Sequence, residues 1–129
     1  MREILFKAKT INGNWVNGLL ANKNDKWYIS NKAGSPFAYD VRPETLCQFT
    51  GLCDKNGKKI WENDILMAHL DESYPEDATY ETVEWNAAGW VGHETGSTDR
   101  EYIDKFDLEH FEVVGNIFDN KELLQEGYK

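Results

Sequence analysis

The stretch QFTGLCDKNGKKIWENDIL, residues 48 to 66, constrains the fold more than any other part of the chain. At its centre is Asn56-Gly57, the dipeptide best suited to a tight hairpin turn, because both residues tolerate the left-handed backbone that such turns demand. Thr45 to Thr50 before it is strand-like, and Gly51 and Leu52 are expected to end that strand. After it, Lys59-Ile60-Trp61 is short, and Glu62-Asn63-Asp64 forms a polar corner ahead of the strand ILMAHL. Carboxylates and amides at such corners accept hydrogen bonds from the turn backbone. The open question is whether these acids also do chemistry.

Short patterned runs separated by turn residues continue along the rest of the chain. ILFKAK alternates with period two, Ile4, Phe6 and Ala8 on one side and two lysines on the other, which predicts an N-terminal strand. WVNGLL (15 to 20) and KWYIS (26 to 30), joined by ANKND, predict a hairpin, and SPFAYDV is a further extended piece with Pro36 at its edge or start. DESYPEDATY (71 to 80) is polar, contains Pro75 and reads as a long loop, and TGSTDR reads as another. ETVEW and GWVGHE predict two strands, with Val83 and Trp85 facing one way. YIDKFDLEHF fits a helical face but runs on into a strand pattern. In DNKELLQEG, Asp119 and Glu122 have capping-box spacing and Gly127 sits at a C-cap position, which predicts a short terminal helix. The class is mainly β with a minor α contribution, without internal repeats or a linker that forces a domain boundary.

A chain of 129 residues can bury enough apolar surface to fold without metal or disulfide staples. No apolar run is long enough for a membrane helix, and Met1 leads into the amphipathic REILFKAKT, so no membrane role and a cytoplasmic location are expected. Cys47 and Cys53 have neither redox nor zinc-ribbon spacing, and His69, His93 and His110 are scattered. Two reduced thiols in or beside strands is the plain reading, with a disulfide the alternative. The net charge of -9 conceals an uneven distribution. Residues 1 to 59 carry ten Lys or Arg against five Asp or Glu, whereas residues 60 to 99 carry none against ten. A phosphate backbone would be repelled by the second segment, so a nucleic-acid role would have to use the N-terminal third.

Glu62 and Asp64, with Asp54 across the hairpin, are the richest carboxylate group, but turn acids are exposed or capping by default. No DxD or HxH cluster accompanies them, no GxSxG motif offers a nucleophile, and the ten glycines never form GxGxxG or GxxxxGK. No catalytic residue, cofactor or metal is therefore expected. Five Trp, six Tyr and six Phe are many for this length, and most are expected in the core.

REILFKAK at the start, CQFTGLCDKNGKKIWENDIL in the middle and FEVVGNIFDNKELL at the end resemble, in order and spacing, the YopX family of small phage and prophage proteins. The most specific positions are Gln48, Thr50, Gly51, Asp54, Asn56, Gly57, Glu62 and Asp64, followed by Gly115 and Asn116. Asn63 stands where glycine is usual. The resemblance implies a β-rich region over 1 to 43 and an SH3-type barrel with a terminal helix over 44 to 129. It implies a bacterial host and no established activity. In that light the motif positions read as structural, Gly51 and Gly57 serving the backbone and Glu62 and Asp64 capping the corner.

The expected function is a non-enzymatic interaction module with a protein partner or a second copy of itself, as a homo-oligomer. The alternative is nucleic-acid binding through Lys7, Lys9, Lys23 and Lys26, with Trp27, Trp15 and Tyr28 as stacking groups. A further variant has residues 60 to 99 imitating nucleic acid.

Overall fold

The computed structural model describes residues 5–30, 38–69, 78–86, 89–94, 97, 100–104 and 108–126. They form two compact units, Met1–Phe49 and Thr50–Lys129. The division falls inside a strand.

In the first unit, β1 (Phe6–Lys9), β2 (Trp15–Lys23), β3 (Lys26–Ser30) and the two-residue β4 (Tyr39–Asp40) lie in the antiparallel order β4-β3-β2-β1. The start of β5 (Cys47–Cys53) joins this sheet, with Lys7 opposite Cys47. The β2-β3 hairpin turns on Asn24 and Asp25 alone, both at positive φ (54° and 64°), as the mirror-image turn of a two-residue hairpin requires. ANKND is thus mostly strand. Of SPFAYDV, Ser35 to Phe37 lie outside the described residues, Tyr39–Asp40 is β4, and Val41 forms a single bridge to Thr10. Ala8, Ile29 and Val41 form the core of this unit, packed by Phe6, Val16, Leu20, Trp27 and Leu46.

In the second unit the rest of β5 forms a hairpin with β6 (Lys59–Trp61). Gly51, at φ 85°, bends β5 without ending it, so the expected break at Gly51 and Leu52 is instead a kink within one strand. Next come β7 (Asp64–His69), β8 (Ala78–Asn86), β9 (Gly89–Glu94), β10 (Arg100–Tyr102) and β11 (Glu112–Asn116), then α1 (Lys121–Glu126). Their antiparallel order is β10-β9-β8-β7-β11. The protein is mainly β, but among the described residues its two sheets do not close into a barrel, so the SH3-type barrel expected over 44 to 129 is not drawn by this strand order. Ile60, Leu66, Val83, Trp90 and Val113 make the second core. Val83 and Trp85 do share a face, yet Val83 is buried and Trp85 is 51% exposed, its ring edge-on to the buried Trp90 opposite it. Of the loop expected over 71 to 80, residues 78 to 80 instead open β8, and residues 71 to 77 lie outside the described residues, as does Gly127. No described helix is long and apolar enough to cross a membrane.

Candidate functional site

The acids of the central motif are held by backbone. Asn56-Gly57 does turn the β5-β6 hairpin, but only Gly57 has positive φ (82°). Gly57 N–H donates to the Asp54 carbonyl (3.0 Å) and Asp54 N–H to the Lys58 carbonyl (2.8 Å), which makes a three-residue loop with its left-handed residue last. Asp54 Oδ1 accepts the N–H groups of Asn56 and Lys58, each at 2.9 Å, and closes the turn. Asp54 Oδ2 accepts the N–H of Val113 in β11, also at 2.9 Å. The Lys55 N–H adds a bond to the Phe111 carbonyl (3.1 Å). Burial opposes the charge on this 6% exposed carboxylate, but the three N–H donors and the Lys58 charge outweigh it and hold the pKa below its ordinary value.

Asp64 behaves similarly at the corner. It is 2% exposed, and its Oδ2 accepts the Trp61 N–H at 2.8 Å. Asn63 sits at φ 70°, which explains why glycine suits this position, and its N–H and carbonyl bond Val83 and Ile117. Thr50 Oγ1 donates to the Ile60 carbonyl and accepts the Leu52 N–H across the kink. At the far end of the chain, Asn116 Oδ1 accepts the N–H groups of Phe118 and Asp119, and Asn120 Oδ1 accepts that of Asn116. Asp119 Oδ2 accepts from Asn116 Nδ2, and α1 starts at Lys121. The motif positions Thr50, Asp54, Asp64 and Asn116 are joints of the fold.

Outside the motif, His93 is engaged at both ring nitrogens, Nδ1 with Glu84 Oε2 (2.9 Å) and Nε2 with the Ser97 carbonyl (2.6 Å). Arg100 Nε takes the other Glu84 oxygen at 3.0 Å. Burial disfavours the Glu84 charge, but Arg100 and His93 more than compensate and keep its pKa below the usual range. Among the described residues no three His, Cys, Asp or Glu stand where they would share a metal ion. Cys47 is buried with Sγ against the Thr45 carbonyl, Cys53 is exposed, and both are free thiols.

The arrangement with most binding potential is on the first unit, and alternation of side chains creates it. With Lys9 opposite Trp15 and Lys7 opposite Asn17, these residues share one side of the sheet, and along β2 the same side carries Leu19, Ala21 and Lys23. Tyr28 stands opposite Ala21 and Lys26 opposite Lys23, and the same side also carries Ser30, opposite Leu19, and Asp40, opposite Tyr28. The Lys7 and Lys9 ammonium groups lie over the Trp15 ring, 4.8 and 5.5 Å from its centroid. Leu19 is 39% exposed, and Lys23 and Lys26 are exposed. The other side, with Ala8, Leu20 and Ile29, is the core. Trp27 belongs to that core side, opposite Asn22, so it is separated from the lysines with which the sequence grouped it. Leu19 and Asn17 are the members that sequence reasoning missed, although the alternation of β2 counted from Trp15 points to both.

Comparison with known proteins follows the same lines. The model of the YopX protein family matches residues 6–125, nearly the whole chain. The chain belongs to the YopX family. No curated protein matches this YopX-family chain. Among solved structures it is similar to protein EF1440 from Enterococcus faecalis, with TM-score 0.58 and 20% identity over 96% of this chain and 99% of that one. At that identity the likeness speaks for the fold alone.

Proposed function

We propose that this YopX-family protein is a non-enzymatic interaction module of a phage or prophage, working in the cytoplasm of a bacterial host and binding its partner through the outward face of the first sheet. One observation carries the reading: Lys7, Lys9, Lys23 and Lys26 stand on the same side of three adjacent strands as Trp15, Leu19 and Tyr28. Four cations around apolar surface suit an anionic partner, since charge steers the encounter and aromatic groups supply contact area. An acidic protein surface fits this description, including the acidic segment of a second copy, and self-association is supported separately by the exposed Trp85 and Tyr102. Affinity capture from host lysate tests it, with the native chain compared with a Lys7→Gln, Lys9→Gln, Lys23→Gln, Lys26→Gln variant, each with and without nuclease. Loss of the captured partner in the variant is expected. Equal capture by both chains would remove the face from the reading, and light scattering that gives a monomer at high concentration would remove self-association.

Nucleic acid is the second reading. The face itself favours it, while the net charge of -9 opposes it at long range. At about 0.1 M salt, charges more than roughly 10 Å from the face are screened, and the local lysines then decide.

A further inference from the structure

We infer that the lysine face also takes single-stranded nucleic acid, an inference that rests on the second reading above and specifies the kind of nucleic acid. The geometry of the face separates single strands from duplexes. Lys7 and Lys9 mark one end, beside Trp15, and Lys23 and Lys26 mark the other, at the β2-β3 turn. Eight residue steps along β2 take Trp15 to Lys23, a track of about 27 Å at the antiparallel strand rise. Between the two lysine pairs lie Asn17, Leu19, Ala21, Tyr28 and Ser30 rather than further cations, and one carboxylate, Asp40, stands opposite Tyr28 on the β4 edge. A duplex presents phosphates continuously and admits a helix or ribbon to its groove, so a sheet face with an apolar middle would leave its centre against hydrated backbone. A single strand offers what such a middle needs, because every base has a ring face to lay on aromatic and apolar groups while its phosphates run to the cations.

Trp15 supplies the local device. Its ring already carries ammonium groups at stacking distance, and the Lys7 and Lys9 side chains are long enough to swing aside. A base laid on the ring with its flanking phosphates toward the two ammonium groups would use ring and cations at once. The apolar and aromatic groups of this face contact any base alike, so the binding is expected to tolerate sequence. The expected footprint is short, at the lower end of the roughly 4 to 16 nucleotides covered by single-strand-binding folds.

The test is fluorescence anisotropy of labelled oligothymidylates of about 4, 8 and 16 nucleotides against a duplex of the longest length, titrated with the full chain over a salt series. Expected are saturation of affinity by about 8 nucleotides, at least tenfold preference for the single strand, and a log–log salt slope near -3, from about 0.7 per phosphate over four contacts. The four-lysine Gln variant should lose at least tenfold in affinity and flatten that slope. A control with the same charge change in the second unit, Lys55→Gln, Lys58→Gln, Lys59→Gln and Lys121→Gln, should bind like the native chain, and Tyr28→Leu should weaken binding without altering the slope. Duplex bound as tightly as single strand, or a control that loses as much as the face variant, would overturn the inference. No oligonucleotide binding together with a nuclease-resistant protein lost from the face variant's capture would refute it and leave the binding-face reading standing. No effect of the face variant in either assay would refute both.

Discussion

Replacement of Asp54 by Asn tests the central structural argument, because it keeps shape and removes one acceptor. Asp54 uses Oδ1 for two loop N–H groups and Oδ2 for the N–H of Val113. An asparagine has a single carbonyl oxygen, so whichever way it turns, its amino group faces a donor. The cheaper orientation keeps the loop bonds and abandons Val113, whose N–H is buried. An unpaired buried donor costs about 1–3 kcal/mol, and bonds to a charged acceptor lie toward the upper end of that scale, so Asp54→Asn should cost about 2–3 kcal/mol. Asp54→Ala loses all three acceptances, but the two loop donors can turn to water, which sets its cost near 3–4 kcal/mol. For a chain of this size the Asn variant corresponds to a melting temperature lower by about 10 °C. Urea unfolding followed by tryptophan fluorescence, with amide exchange at Val113, reads both quantities. A substitution of the exposed Glu109 by Gln should stay within about 0.5 kcal/mol. An Asp54→Asn chain within about 1 kcal/mol of native, or an unchanged Val113 exchange rate, would mean that the carboxylate does not hold β11 to the hairpin.

Three further outcomes follow from the same geometry. Because the Asp54 pKa is lowered on folding, its contribution is complete above the ordinary carboxylate value of about 4 and is lost as pH falls below that through the native value. Acid titration of stability should therefore be shallower below pH 4 in Asp54→Asn than in the native chain. Gly115→Ala should be worse than Gly57→Ala. The second costs about 1 kcal/mol in backbone strain with nothing within 4 Å of the new methyl, whereas the first drives a Cβ into the Asn120 side chain that holds the Asn116 N–H. Equal melting temperatures for the two variants would contradict this. At the corner, Asn63→Gly should be neutral to within about 0.5 kcal/mol, since lost strain offsets gained chain entropy, while Asn63→Val should cost about 1–2 kcal/mol at φ 70°. Thermal melts decide it, and a tolerated valine would show that the positive φ is not required.

Much of the local structure was legible in the chain. The Asn24-Asp25 and Asn56-Gly57 turns and the bends at Gly51 and Asn63 are all places where a residue that tolerates left-handed backbone interrupts an alternating run, and all four interruptions carry a positive φ, at Gly57 in the second. The alternation of ILFKAK correctly placed Ala8 against the core and the two lysines away from it. Gly51 was misjudged as a strand end because a glycine in sequence reads the same whether the strand stops there or bends and goes on.

The sequence by itself determined where this protein turns and which residues of a strand share a side, because backbone preference and the two-residue period are properties of neighbours along the chain. Only the tertiary structure decided which side is covered. Period two puts Trp27 and Tyr28 on opposite faces, but nothing local says that Trp27 joins Ile29 in the core while Tyr28 joins the lysines. Nor does anything local say that Asp54, a turn acid by every nearby sign, spends its second oxygen on Val113, 59 residues further on. A carboxylate accepts from whatever donor the fold brings within reach, and that donor is set by the pairing of distant strands rather than by the residues beside it.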